Sequence, residues 1–310
     1  MAIDQAQANG WPTRKDFVFV FNGTDLGRFL VIVFIVTALA ACTEKPSERT
    51  RTIEGGAVIL QDHSGTAAGE YNNRGIAKML QNDVKGAIAD FKEAAKLDPD
   101  ESGYQENLAW ALSQVGDLRS AMAALYEAIR LRPNDAELYW KRGYIRGQVQ
   151  NYAGAIADFT KALELNPSLG KAYGDRGWAK VMVHDWEGAI VDSTEAIKRD
   201  PDNPNSYENR GFARMQVGDF PGARNDYTDA LRAKQDDPRL YALRAEARSR
   251  LGDNEGAADD LDKAIRMNPD FGRAYQVRGE LRRKLGDESG AKADIEKAAQ
   301  LMVNPGQPKP

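Results

Sequence analysis

Two histidines, His63 and His184, and one cysteine, Cys42, are the only imidazoles and the only thiol in the 310-residue sequence. Three such side chains cannot assemble a zinc cluster or a disulfide framework. The sequence also lacks a Gly-rich phosphate loop, a Gly-x-Ser-x-Gly elbow and a His-Glu-x-x-His pair. No catalytic residue, cofactor or metal site is therefore expected, and His184 reads as a solvated turn residue. The 42 Lys+Arg against 46 Asp+Glu, a net charge of −4, argue against a bulk nucleic-acid binder, and no small-molecule substrate is indicated. The chemistry that remains is that of charge, aromatic surface and one thiol.

The charges are ordered. One register, spaced by 34 residues or a multiple, carries Arg74, Arg142, Arg176, Arg210, Arg244 and Arg278. Four residues later come Lys78, Arg146, Lys180, Arg214, Arg248 and Arg282, and a third register carries Asp90, Asp158, Asp192, Asp226, Asp260 and Asp294. One copy departs at all three places together, with Leu108, Leu112 and Ala124. That joint loss implies that two cations and one carboxylate meet in space. Packed ion clusters between helices are expected, a ligand-binding charge ladder being the alternative.

The elements that position these groups follow from the same period. Alanine recurs at 87, 121, 155, 189, 223, 257 and 291, and again at 94, 128, 162, 196, 230, 264 and 298. Gly75, Gly143, Gly177, Gly211 and Gly279 share a register with Ala109 and Ala245, and tyrosine marks positions 71, 139, 173, 207, 241 and 275. Proline closes units at 99, 133, 167, 201 and 269. Each unit holds two amphipathic stretches around a turn such as Val217-Gly218-Asp219, where glycine ends one helix and aspartate caps the next. Small residues let the paired helices approach, and the tyrosines with Phe91, Phe159 and Tyr227 are expected to fill the space beside them. Seven units, starting near 68, 102, 136, 170, 204, 238 and 272, resemble tetratricopeptide (TPR) repeats across 68–305. The resemblance implies an all-α, right-handed superhelical solenoid of seven helix-turn-helix repeats, each burying its apolar face on the next.

In proteins of this kind the first helices line a groove. One register there reads Ile76, Trp110, Tyr144, Trp178, Phe212, Glu246, Glu280, with Trp140 one turn from Tyr144. These aromatics are candidates for a partner groove, with inter-repeat packing as the alternative. Arg239, Arg250, Arg273, Arg283 and Lys284 lie on groove or rim registers of the last two repeats and form a candidate basic end. The lysine and asparagine positions of the carboxylate-clamp TPR domains hold Asn72 and Ile76 here, so binding of chaperone tails is not expected.

The thiol belongs to a different segment. Residues 29–42 form an apolar run broken only by Thr37, about 21 Å long as a helix and so short of a bilayer core of about 30 Å. Its end, Leu39-Ala40-Ala41-Cys42, resembles the lipobox of bacterial lipoproteins, which implies a signal peptide over 1–41 and an acylated Cys42. An uncleaved anchor is the alternative. Thr43 in the sorting position favours the outer membrane by that resemblance. Residues 42–67 read as a tether and 306–310 as a tail. The expected function is a non-catalytic, membrane-anchored scaffold that binds protein or peptide partners in the bacterial envelope. A cytoplasm-facing TPR domain organising a signalling or chaperone complex is the alternative.

Overall fold

The structure, a computed structural model, describes residues 65–303, with side chains to 301. Cys42, His63 and the 29–42 run lie outside the described residues. Fourteen helices and no strand occupy the described part: α1 (Ala67–Leu80), α2 (Val84–Leu97), α3 (Ser102–Gln114), α4 (Leu118–Leu131), α5 (Ala136–Gln148), α6 (Tyr152–Leu165), α7 (Gly170–Met182), α8 (Trp186–Arg199), α9 (Pro204–Val217), α10 (Phe220–Ala233), α11 (Pro238–Leu251), α12 (Asn254–Met267), α13 (Gly272–Lys284) and α14 (Glu288–Val303). They form seven helical hairpins, the repeats anticipated from the 34-residue period. Two compact units divide them: the first holds repeats 1 and 2, the second, from residue 134, repeats 3 to 7.

Local chemistry sets the hairpin turn. The residue before each cap is left-handed: glycine at 116, 218, 252 and 286, but Asn82, Gln150 and His184 in the other three, with φ of 62–65°. The cap follows. Asp83, Asp185, Asp219 and Asp253 each accept from the backbone N–H three residues on, satisfying one of the helix's orphan donors.

Both alanine registers are buried throughout. A Cβ on Gly75, Gly143 or Gly211 would come within 2.6–2.8 Å of the ring of Phe91, Phe159 or Tyr227. The glycine thus admits the ring that separates the two helices. Repeat 4 differs. Ser193 replaces the ring, and a Cβ on Gly177 would lie 2.9 Å from its Oγ and 3.4 Å from its backbone nitrogen. There the Ser193 hydroxyl is buried without a hydrogen-bond partner among the described residues.

The charged registers meet as the joint loss in repeat 2 implied. Asp192 takes two hydrogen bonds from Arg176, at 2.7 and 2.8 Å, and an ion pair from Lys180 at 2.9 Å. The same arrangement surrounds Asp90, Asp158, Asp226, Asp260 and Asp294. In repeat 2 the three places are filled by buried Leu108, Leu112 and Ala124. The guanidinium of Arg74 holds Asp90 below the usual carboxylate range. At the deeper Asp226 burial outweighs its two guanidiniums and pushes the carboxyl up.

Each arginine has further partners. The tyrosines of the 71 register lie under the arginines, 4.6–5.7 Å from the guanidinium carbon to the ring centre. In the second unit the guanidinium also reaches back to the preceding hairpin. Arg176 donates to Thr160 at 3.1 Å, Arg210 to Thr194 at 3.2 Å, Arg244 to Thr228 at 3.5 Å and Arg278 to Asp262 at 2.8 Å. One side chain thereby ties three helices.

Candidate partner-binding face

The aromatic register lies on the first helices, and every member from Trp110 to Phe212 is half-buried. Trp178 on α7 meets Tyr152, the first residue of α6, edge-on at 5.4 Å, and joins Ala155, Phe159 and Ala179. Phe212 on α9 repeats the contact one unit on, meeting Trp186, the first residue of α8, at 5.8 Å beside Val181, Ala189 and Ala213. Part of each ring therefore wedges between neighbouring hairpins and part stays in solvent. Trp110, in the first unit, sits on α3 with its carbonyl accepting from the Ser113 hydroxyl at 2.7 Å.

Trp140 and Tyr144 stand one turn apart on α5 with ring centres 5.8 Å apart. The Trp140 indole N–H donates to Asp175 on α7 at 2.8 Å, and the Lys171 ammonium lies 3.7 Å from its ring centre. Lys171 in turn pairs with Glu137 at 2.6 Å. Polar and aromatic groups thus alternate across α5 and α7, which suits an amphipathic partner segment.

The cations of the last two repeats are placed differently from one another. Arg239 is gripped by Asp237 at 2.7 Å and lies 3.8 Å from Glu208. Arg273 pairs with Glu246 at 2.9 Å. Arg250 rests over the Phe220 ring at 4.5 Å, and Lys284 donates to the Ser249 carbonyl at 2.5 Å and to Asn254 at 3.3 Å. Arg283 is exposed. Asp237 and Glu246 are thus interleaved with Arg239 and Arg273 at this end.

Sequence reasoning passed over Tyr152, Trp186, Lys171, Asp175 and Glu208. A signal was present for the first two. The residue opening the second helix is aromatic in repeats 3 and 4, and 26 residues later its packing partner is aromatic too. Glu208 is buried, and desolvation pushes its carboxyl above the usual range. Burial also raises the Tyr227 phenol, with Glu246 and Glu208 adding to the effect. His184 is exposed and stacks on Trp186 at 4.9 Å. Among the described residues no group of three or more His, Cys, Asp or Glu side chains is placed to hold a metal ion, and no helix is long and apolar enough to cross a membrane.

The family model for the tetratricopeptide repeat matches residues 72–136, 106–170, 209–270 and 242–301. No curated protein matches the sequence. Among solved structures, a tetratricopeptide repeat protein from Parabacteroides merdae is 17% identical, covers 77% of this chain and 100% of its own, and superposes with a TM-score of 0.61. PilF of Pseudomonas aeruginosa is 15% identical over 69% of this chain and 97% of its own, with a TM-score of 0.61. YrrB, a TPR protein with an unusual peptide-binding site, is 21% identical over 61% and 97%, with a TM-score of 0.54. At these identities the likeness concerns the fold.

Proposed function

The chain belongs to the tetratricopeptide-repeat family, and from that premise we propose that it is a non-catalytic, membrane-anchored scaffold of the bacterial envelope. Its first helices would hold a protein or peptide partner. The observation that carries the binding reading is the row of half-buried rings on α5, α7 and α9, each fixed on one side by packing. Such rings are rigid before a partner arrives, so they bury large area at little rotamer cost. The peptide-binding site of YrrB lends the reading support by analogy of fold. Anchoring rests on Leu39-Ala40-Ala41-Cys42 at the end of a short apolar run. Acylation there, with more than one chain, gives stable attachment where a single chain would not.

Two substitutions test the two halves of the proposal. Trp178→Ala removes a ring that is only half-buried, so the expected stability loss is about 2 kcal/mol. Capture of cross-linked partners should meanwhile fall about tenfold or more. A melt lowered by the equivalent of about 3–5 kcal/mol with undiminished capture would make the ring a packing wedge and end the binding reading. Cys42→Ser should abolish uptake of labelled fatty acid and leave an unprocessed precursor. A mature protein that begins elsewhere than Cys42 would end the anchoring reading.

A further inference from the structure

Glu106 and Glu208 occupy one register, three repeats apart, and both are buried, with side chains 3% and 5% exposed. Their surroundings differ in one respect. Glu106 accepts a hydrogen bond from Arg132, which is braced by the Ser102 hydroxyl at 2.7 Å. The residue equivalent to Arg132 is Lys234, and its ammonium goes to the Asn205 side-chain oxygen at 3.1 Å. The other cation within reach, Arg239, is held by Asp237 through two hydrogen bonds at 2.7 and 3.1 Å. Glu208 is left with one ion-pair contact, 3.8 Å to Arg239, the weaker attraction of Lys234, and no hydrogen bond among the described residues.

A buried carboxylate in that condition is costly, because desolvation outweighs the attraction of Arg239 and Lys234. Its side chain keeps 5% exposure. Tyr227, whose ring lies against Gly211 one turn along α9, carries a hydroxyl that is sealed and unpaired. Phe91 and Phe159 show that the core register itself needs only a ring. A weakly paired carboxylate and an unpaired hydroxyl thus sit in one repeat, with the half-buried Phe212 one turn from Glu208 along α9.

We propose that Glu208 is a receiving carboxylate for a lysine or arginine side chain of the bound partner, with Phe212 flanking the aliphatic stem. The proposal rests on the scaffold reading above and adds the partner's chemistry to it. A long cationic side chain supplies what the site lacks: a donor with full positive charge, on an apolar stem that can follow the ring. A carboxylate-bearing segment is disfavoured at this point, since Glu208, Asp237 and Glu246 would repel it.

The test uses the full-length protein with carboxyl-labelled glutamate and two acetylated, amidated pentapeptides, Ala-Leu-Lys-Leu-Ala and its norleucine-for-lysine counterpart. The lysine peptide should bind at least about tenfold more tightly, shift the Glu208 carboxyl resonance and lower its pKa. Glu208→Gln should equalise the two peptides without lowering the melting temperature. Glu106→Gln should lower the melting temperature, because Arg132 loses its counter-charge, and should leave the tenfold preference intact. Equal affinity of the two peptides for the wild type, or a Glu208 resonance that neither peptide moves, would overturn the assignment. Failure of the scaffold reading would show separately, as undiminished partner capture by the Trp178→Ala protein.

Discussion

Asp192→Ala is expected to lower stability by about 3–5 kcal/mol, the range for removing one partner of a buried ion pair. The carboxylate is 2% exposed and neutralises both Arg176 and Lys180, which are themselves only 16% and 18% exposed. Deleting it strips two cations of their counter-charge and leaves their N–H groups without the acceptor they were built around. The more informative variant removes the whole set. Leucine at 176 and 180 with alanine at 192 copies the buried Leu108, Leu112 and Ala124 of repeat 2, and it should cost less than the single change. Desolvation already dominates at the related Asp226, which is the circumstance in which an apolar replacement competes well with an ion pair. Thermal melts of the two proteins decide the matter. A triple variant clearly less stable than Asp192→Ala would mean that the cluster contributes more than its burial costs.

The second large effect concerns repeat 4 and runs against what the other repeats suggest. Phenylalanine or tyrosine fills this register at 91, 159 and 227, so Ser193→Phe looks like a repair. The expected result is instead a loss of about 3 kcal/mol, toward the upper end for overpacked cores. In repeats 1, 3 and 5 a Cβ on the facing glycine would meet a ring first; at Gly177 it would meet Ser193 Oγ and then backbone. A phenyl ring would have to displace groups already packed against Gly177. Ser193→Ala should be neutral or stabilising by up to about 1 kcal/mol, since it deletes a sealed hydroxyl that bonds to nothing. A Ser193→Phe protein that melts at or above the wild-type temperature would show that α7 and α8 part readily.

The helical hairpins and their charge clusters were legible in the sequence because seven copies act as an alignment within one chain. Arg142, Arg146 and Asp158 announce a contact only when Leu108, Leu112 and Ala124 show all three lost together. Phe91, Phe159 and Tyr227 found their places beside glycine for the same reason. The tyrosines of the 71 register also pack beside alanines, as expected, but they carry the arginines as well, a choice of direction that a helix period does not encode. Thr160 and Thr194, the third arm of each arginine, are unremarkable residues whose role depends on how one hairpin is offset from the next. The fate of Arg239 was hidden for a related reason. Whether it stands free or folds back on Asp237 two residues away is decided by rotamers. A register of cations therefore promised a basic end, where the structure has interleaved charges.

The arginines that bridge three helices also bear on how the second unit responds to a pulling force. Each of these ties must break before its hairpin can peel from the one behind it, while the apolar contacts around it weaken only gradually with separation. Hydrogen bonds are short-ranged, so such ties act as brittle latches in series, one for each of Arg176, Arg210, Arg244 and Arg278. With stability distributed among neighbouring repeats, extension from the carboxyl end would proceed by discrete rips, each releasing about 110 Å of chain for a repeat of 34 residues. A repeat array built in this way would yield one hairpin at a time and keep the remaining hairpins folded under load.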